Sequence, residues 1–265
     1  MKIILFLITF SIVLFFYLRY FERKSIYFPS SLIEMTPKDF GLEFEDVMLK
    51  TRDGVNISAW FIPSKDATVT VLFCHGNGGN ISHRLDKIRF FNNLNLNVII
   101  YDYRGYGKST GSPCEKGLYL DTKAVYDYLR NDKKIGSDKI IVFGESLGSA
   151  LAVDLISKEK TAGIIIEGGF SSAPDMARHM YPLIPPLIFS VKFNSAAKIK
   201  DIKIPKLFFH SKSDEVVPYV LGRKLFDAAD NPKEFVNIFG AHNIAFFDSL
   251  DLIIPEVKKF LEKVK

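Results

Sequence analysis

The sequence predicts an α/β protein with a mostly parallel, eight-stranded sheet flanked by helices. From residue 43 onward, short β-rich segments alternate with segments of helical periodicity, which is typical of strand–helix–strand units. Most of the β-rich segments are continuously apolar, as expected of parallel strands that are buried on both faces. The 265 residues are 48% hydrophobic, which is enough for a sizeable core, and we assign that core to one domain at 25–265.

Each strand is predicted from a run that is bounded by turn residues. The first two runs, 43–50 and 55–63, are separated by Thr-Arg-Asp-Gly, which indicates a hairpin. Six further strands are predicted at 68–74, 97–103, 139–143, 163–167, 206–210 and 234–239. The chain then ends in a predicted helix that packs on the sheet through Phe246, Leu250, Ile253, Val257, Phe260 and Val264.

The N-terminal segment carries an apolar run at residues 3–18, which is followed by Arg19. With its aromatic ends the run reaches about 18 to 20 residues, the length that a helix needs to cross a hydrocarbon core of about 30 Å. A cleaved signal peptide is the competing interpretation, but no small-residue cleavage site follows the run. A buried core helix is another. We predict a single-pass anchor at residues 1–24, which contacts the membrane through residues 3–21, and leave its orientation open.

Charge and cysteine content exclude several classes of protein. The formal net charge is +5, but residues 1–24 alone carry +3, so no basic stripe remains in the rest of the chain to bind nucleic acid. The two cysteines, Cys74 and Cys114, are too few for a disulfide framework or for a zinc site built from cysteine. We expect neither a metal ion nor an organic cofactor.

The predicted strand at 139–143 runs into Gly144-Glu145-Ser146-Leu147-Gly148, and a helical segment follows. A serine between a strand and a helix on so sharp a turn has strained backbone angles and presents its hydroxyl at the end of the sheet. A side chain at either glycine would collide with the neighbouring strand and helix. We therefore predict Ser146 as a nucleophile.

A serine hydroxyl is a weak nucleophile until a base accepts its proton, and His242 has the best position for that base. It follows the last predicted strand in Gly240-Ala241-His242-Asn243 and precedes the final helix. We assign the other four histidines to other roles: a buried core position for His210, a brace of the Gly-rich loop for His75, and surface positions for His83 and His179.

The acid that orients the base is predicted to be Asp214, which follows the strand at 206–210. Each member of such a triad comes from the end of its own strand, and the chain order Ser146, Asp214, His242 fits an open α/β sheet. Glu167 ends the strand at 163–167 and remains the alternative acid.

A glycine-rich segment, His75-Gly76-Asn77-Gly78-Gly79-Asn80, follows the strand at 68–74. Acyl transfer develops negative charge on the carbonyl oxygen of the substrate, and two preorganised backbone N–H groups would stabilise it. We predict the N–H groups of Asn77 and Leu147 in that role. A phosphate-binding loop is excluded, because the Lys-Ser/Thr of a P-loop and the G-x-G-x-x-G spacing are both missing.

Residues 170–205 replace a plain crossover and are predicted to form a small cap insertion. Within the cap, residues 180–189 are apolar and contain three prolines. Two interpretations stay open here. The segment is either a short helix that packs on the domain or an apolar mouth beside Ser146 that accepts an acyl chain.

Together these motifs resemble the α/β-hydrolase fold, and within it the BEM46-like group of membrane-anchored serine hydrolases, which includes the ABHD13- and ABHD17-like proteins. The resemblance extends from about Tyr27 to the end of the sequence. It implies that Ser146, Asp214 and His242 are nucleophile, acid and base. The motifs that carry it are 26–29 (IYFP), 51–54 (TRDG), 75–80 (HGNGGN), 101–109 (YDYRGYGKS), 144–148 (GESLG), 213–218 (SDEVVP) and 240–243 (GAHN).

These residues favour a serine hydrolase that cleaves an acyl ester or thioester through an acyl-enzyme intermediate. A peptidase with the same triad is one alternative, and a non-catalytic scaffold tethered to the membrane is another. The substrate is expected to be a small or lipid-like acyl compound. Acyl chain length, leaving group and oligomeric state are not determined by the sequence.

Overall fold

The structure is a computed structural model that describes residues 2–185 and 188–264. Met1 of the predicted anchor, Pro186 and Leu187 of the predicted cap, and Lys265 lie outside the described residues.

The central sheet has eight strands, as predicted. They are β1 (Glu45–Lys50), β2 (Asn56–Ile62), β3 (Thr70–Cys74), β4 (Asn97–Tyr101), β5 (Ile140–Glu145), β6 (Gly163–Glu167), β7 (Lys206–Ser211) and β8 (Lys233–Ile238). Their order is β8-β7-β6-β5-β3-β4-β2-β1, and only the β1–β2 and β2–β4 pairs are antiparallel. The carboxyl ends of the parallel strands therefore meet at one edge of the sheet, where ligands bind in folds of this class.

Nine α-helices are described in residues 2–185 and 188–264. They are α1 (Lys2–Ile26), α2 (Leu85–Asn93), α3 (Glu115–Asn131), α4 (Leu147–Ile156), α5 (Ala173–Met180), α6 (Ser195–Lys198), α7 (Tyr219–Ala228), α8 (Ala245–Asp248) and α9 (Leu250–Val264). Helices α5 and α6 belong to the insertion between β6 and β7, where the cap was predicted.

Apolar side chains cover both faces of the central strands, which explains why most strands of the sheet are continuous apolar runs. Leu72 packs on one side with α3, α4 and α7, while its neighbour Phe73 packs on the other side with α2 and α9. The ring centroids of Phe73 and Phe143, on adjacent strands, lie 4.8 Å apart. A sheet that is buried in this way is a rigid support for residues at its edge.

The single final helix of the sequence prediction is divided in two at Ser249. The carbonyl oxygen of Ser249 accepts hydrogen bonds from the N–H groups of Leu252 and Ile253, so this residue starts α9 as a helix cap does. Its hydroxyl also accepts a bond from the N–H of Phe239, 2.8 Å away, just past the end of β8. The predicted stripe is nevertheless buried on the sheet along α9, at Ile253, Val257 and Phe260.

Helix α1 has an 18-residue apolar window with a mean hydropathy of 2.2, none of which is buried. The helix continues across the predicted boundary at residue 24 and ends at Ile26. A short parallel pair between Phe28–Pro29 and Gly78–Gly79 follows, which the sequence analysis did not predict. This pair places the chain that leaves α1 directly beside the glycine-rich loop.

Candidate active site

The turn between β5 and α4 holds Ser146 in a strained conformation, with φ 51° and ψ −116°. Its backbone N–H donates to the carbonyl oxygen of Glu167 at 2.8 Å, which ties the turn to the end of β6. A non-glycine residue at positive φ is uncommon, and such strain persists only where the surrounding structure enforces it. The β5–α4 turn is therefore built to hold this serine in one position.

The two glycines of the turn are required by close contacts, as the sequence analysis expected. A Cβ atom at Gly144 would lie 2.6 Å from the Cα of Ser149. One at Gly148 would lie 2.0 Å from the carbonyl oxygen of Cys74, at the end of β3. Both distances are far below van der Waals contact, so only glycine lets strand and helix approach this closely.

The structure brings the three predicted triad residues together, although they are far apart in sequence. The Oγ of Ser146 lies 3.1 Å from Nε2 of His242, and Nδ1 of His242 lies 2.7 Å from Oδ2 of Asp214. The other carboxylate oxygen of Asp214 accepts the N–H groups of Val216 and Val217, at 3.0 and 2.7 Å. An ionised carboxylate can only accept, so Nδ1 of His242 carries the proton and Nε2 is free to accept one from the serine.

The charges of the site support this assignment of protons. Burial of Asp214 raises its pKa, but the hydrogen bond and charge of His242 outweigh that effect, and the net pKa is lowered. For His242, burial lowers the pKa, while the bond to Asp214 and its charge, with those of Glu145 and Glu167, raise it above 6.5 overall. Asp214 therefore stays ionised and stabilises a positive charge on His242.

Other histidines occupy the places that the sequence analysis assigned them. His210 is buried beside the site, where Nε2 donates to the carbonyl oxygen of Val217 at 2.9 Å, and burial lowers its pKa. His75 is fully buried, and burial lowers its pKa to about 3, so its imidazole is neutral. Its Nδ1–H group donates to the carbonyl oxygen of Gly76 at 2.7 Å. His179 is exposed on α5.

Glu167, the alternative acid, is engaged elsewhere. Its carboxylate accepts a hydrogen bond from Nζ of Lys87 at 2.6 Å, and the same ammonium lies 3.0 Å from Glu145. Glu145 in turn accepts from Nε of Arg84 at 3.0 Å. This ionic cluster beside the nucleophile was not predicted, since Lys87 is 58 and 80 residues away from its two carboxylate partners and shares no motif with them.

The glycine-rich loop after β3 is fixed on several sides. Its residue Asn77 accepts a hydrogen bond from the hydroxyl of Tyr106 at 2.8 Å, and Gly78 accepts one from Arg84 at 3.0 Å. Among residues 2–185 and 188–264, no acceptor bonds the backbone N–H of Asn77 or that of Leu147. Both residues border the same cavity as Ser146.

That cavity has a volume of about 230 Å³ and is largely apolar. Side chains of the insertion form one wall: Met176, Ala177, Met180, Phe189, Val191 and Phe193. The end of α1 borders it as well, through Glu22, Ser25 and Ile26. The insertion thus packs on the domain, where Val191 and Phe193 are buried, and also borders an apolar space at the serine.

Across residues 2–185 and 188–264, no group of three or more His, Cys, Asp or Glu side chains is arranged to hold a metal ion. Cys74 is buried and Cys114 is exposed, and neither is in a disulfide.

Comparison with known proteins gives consistent matches. The family model Hydrolase_4, described as serine aminopeptidase S33, matches residues 65–198, just over half of the chain. Protein bem46 of Schizosaccharomyces pombe is 37% identical over 215 residues, which are 75% of this chain and 72% of that protein. The Saccharomyces cerevisiae protein named uncharacterized membrane protein YNL320W is 35% identical over 217 residues, 78% of this chain and 76% of its own.

Solved structures agree on the fold. An esterase from Pyrococcus furiosus superposes with a TM-score of 0.75 at 24% identity, covering 90% of this chain and 97% of its own. The strand order, the strained serine turn and the identity to bem46 lead to one conclusion. The chain belongs to the BEM46-like group of the α/β-hydrolase family.

Proposed function

We propose that this α/β hydrolase is a membrane-anchored serine hydrolase that cleaves an acyl ester or thioester through Ser146, His242 and Asp214. The observation that carries the proposal is the continuous hydrogen-bonded chain from Ser146 through His242 to Asp214, whose serine borders an apolar cavity. A nucleophile, its base and an orienting acid in hydrogen-bond reach of one another constitute the arrangement that activates serine.

In the first half of the reaction, His242 accepts the proton of Ser146 while Oγ attacks the acyl carbonyl carbon. The oxygen of the tetrahedral intermediate is stabilised by the N–H groups of Asn77 and Leu147, each worth roughly 10²- to 10³-fold in rate. The imidazolium then protonates the departing alkoxide or thiolate, and an acyl-enzyme remains on Ser146. Asp214 keeps the imidazole in the required tautomer and stabilises its positive charge.

In the second half, water replaces the leaving group. His242 takes a proton from the water, hydroxide attacks the acyl carbonyl, and Ser146 leaves with the proton that His242 returns. The oxyanion is held by the same two amides. The products are a carboxylic acid and the free enzyme.

An apolar acyl group is the substrate class that the cavity supports. Its wall in the insertion consists of methionine, alanine, valine and phenylalanine side chains together with Tyr181, and this mainly apolar wall would bind a hydrocarbon chain by burying it. Helix α1 supports a membrane anchor by its length and hydropathy, and a relative that is named a membrane protein is consistent with it.

Peptide hydrolysis is the second candidate, because the matching family model is described as a serine aminopeptidase. An aminopeptidase needs an anion to hold the free α-amine of its substrate. Glu22 borders the cavity, but its carboxylate already accepts hydrogen bonds from Arg19, Ser190 and Val191. This favours the ester over the peptide.

The test is turnover of matched substrates by the full-length protein in detergent. We expect hydrolysis of p-nitrophenyl acyl esters, at least 100-fold slower release of p-nitroanilide from aminoacyl anilides, and loss of both in Ser146→Ala. Faster anilide turnover would support the peptidase instead. No turnover of either substrate class by folded protein would favour the non-catalytic scaffold.

A further inference from the structure

We propose that the end of helix α1 is part of the active site through Glu22, Ser25 and Ile26, and that it sets the length of the acyl chain that the enzyme accepts. The inference deepens the proposed function and rests on it. It assigns to a predicted membrane anchor a second role, as one wall of the acyl cavity.

The first observation is a buried carboxylate that joins α1 to the cap insertion. Glu22 is 2% exposed. Its Oε1 accepts the backbone N–H of Val191 at 2.8 Å, and its Oε2 accepts the hydroxyl of Ser190 at 2.6 Å. Arg19, one turn earlier, bonds Oε2 at 2.8 Å and also donates to the carbonyl oxygen of Ile188.

A buried carboxylate is costly unless its oxygens are hydrogen-bonded, so it is found where it fixes a neighbouring segment. A helix that only crossed a membrane would gain nothing from Glu22. The segment that this side chain fixes is 188–191, which contributes Phe189 and Val191 to the cavity wall.

The second observation joins the same end of α1 to the glycine-rich loop. The carbonyl oxygen of Ile26, the last residue of the helix, accepts a hydrogen bond from the side-chain amide of Asn77 at 3.0 Å. Two residues later, the N–H of Phe28 donates to the carbonyl oxygen of Asn77 at 3.2 Å. Asn77, whose backbone N–H we propose as an oxyanion donor, is thus held by the chain that leaves α1.

Between these two connections, α1 itself borders the cavity through Ser25 and Ile26. The small side chain of Ser25 leaves room there. A cavity of about 150 Å³ in another protein holds benzene, so one of about 230 Å³ would hold roughly eight or nine carbon atoms. The geometry therefore matches an acyl chain of about eight carbons.

The position of this wall relative to the membrane indicates where the acyl chain comes from. The apolar run of α1 ends at Leu18, and Arg19 already contacts the cap. The helix is continuous, with a rise of about 1.5 Å per residue, so the cavity lies within a few turns of the end of the run. An acyl chain that is inserted in the bilayer fits this arrangement.

The experiment measures kcat and KM for p-nitrophenyl esters from acetate to decanoate with the full-length protein in detergent. Three variants are compared: Ser25→Phe fills the cavity, Glu22→Ala removes the carboxylate, and Glu22→Gln keeps its shape. Arg23→Gln is the matched control, because this residue is exposed on the same turn of α1. The readout is the ratio of kcat/KM for octanoate to that for acetate.

We expect the ratio to fall at least tenfold in Ser25→Phe and Glu22→Ala, through a higher KM for octanoate. Glu22→Gln should recover a large part of the ratio, and Arg23→Gln should leave it unchanged. Ser25→Phe decides the matter if Glu22→Ala does not fold, since it breaks no hydrogen bond of the cap.

Ratios within twofold of wild type in Ser25→Phe and Glu22→Ala would overturn this inference while leaving the proposed hydrolase intact. An equal loss for all esters would also overturn it, because a merely structural role predicts that result. Wild-type protein that hydrolyses no ester would overturn both proposals together.

Discussion

At the residue scale, the site places opposite charges at defined distances around one strained serine. Asp214 and Ser146 bond opposite ring nitrogens of His242. The ionic cluster of Lys87, Glu145 and Glu167 lies at the ends of β5 and β6, next to the β5–α4 turn. Burial lowers the pKa of Lys87, but the two carboxylates outweigh it, so the ammonium stays charged. The cluster thereby satisfies two buried carboxylates that would otherwise be costly.

The role of Asp214 gives the first prediction at this scale. Asp214→Asn should lower kcat by roughly 10³- to 10⁴-fold, because the amide no longer selects the tautomer of His242 that can accept the serine proton. Ester turnover and circular dichroism of the purified variant check this. Near-normal activity would instead assign the acid role to Glu167, and Glu167→Gln should then be the inactive variant.

The pH dependence follows from the raised pKa of His242. The general base must be neutral, so kcat/KM should rise with pH through a pKa above 6.5 and then level off. In Asp214→Asn the residual activity should still increase with pH, but the increase should occur at a lower pH than in wild type. Burial still lowers the pKa of the His242 imidazole in this variant, while the carboxylate that raised it is gone. His179→Gln, which removes an exposed imidazole, should keep the wild-type profile. A profile that moves to higher pH in Asp214→Asn would contradict the assignment.

The triad residues could be predicted because each follows a strand whose apolar run is visible in the sequence, and the order of strand ends determines which residues meet. The ion pairs of Lys87 could not be predicted, because this residue lies inside helix α2 while its partners Glu145 and Glu167 end the strands β5 and β6. The bond between Ser211 and the carbonyl oxygen of Gly240, at 2.6 Å, was also missed. It joins the ends of β7 and β8 and so supports the loop of His242.

At the scale of elements, the approach of α4 to β3 decides where the nucleophile lies. Gly148→Ala should destabilise the protein by about 3 kcal/mol or more, because its Cβ would overlap the carbonyl oxygen of Cys74, which belongs to a central strand and has no room to move. Gly78→Ala is the control, since a Cβ there meets nothing within 4 Å. Thermal unfolding of both variants measures the difference. Equal stability of the two would show that α4 has room to shift.

Helix α1 gives a second prediction at this scale, through two deletions that differ by eight residues. Deletion of residues 2–18 removes the apolar run and keeps Arg19, Glu22 and Ile26, so the protein should leave the membrane fraction and retain octanoate hydrolysis. Deletion of residues 2–26 should lower octanoate turnover at least tenfold. Equal octanoate hydrolysis by the two deletion variants would contradict a role of α1 in the cavity. If the variant that lacks residues 2–18 stayed in the membrane fraction, the prediction that this run is the membrane anchor would be wrong.

The elements themselves show what the sequence could and could not predict. Most strands of the sheet were predictable because a strand buried on both faces is an apolar run between turn residues. The exposed edge strand β1 was predictable from the Thr-Arg-Asp-Gly hairpin signal that follows it. The pair between Phe28–Pro29 and Gly78–Gly79 has only two residues on each side and leaves no such pattern. The break at Ser249 was hidden because the four-residue helix α8 and the longer α9 bury the same apolar stripe.

At the scale of the whole molecule, the sheet, the cap and α1 surround one cavity beside Ser146. The sheet edge supplies the nucleophile, base and acid, the insertion supplies an apolar wall, and the end of α1 connects the cap to the glycine-rich loop. The motifs of the sequence predicted the first of these contributions. The contribution of α1 could not be predicted, because its apolar run predicts a membrane anchor whether or not the end of the helix contacts the hydrolase domain.

An activated nucleophile reacts covalently with a fluorophosphonate probe, so labelling of the full-length protein followed by peptide mapping tests directly whether Ser146 is one. We expect one adduct, on Ser146, that is absent in Ser146→Ala and retained in Ser149→Ala, where a buried neighbouring hydroxyl is removed. An unlabelled wild-type protein that is folded, or an adduct on a different serine, would contradict this expectation.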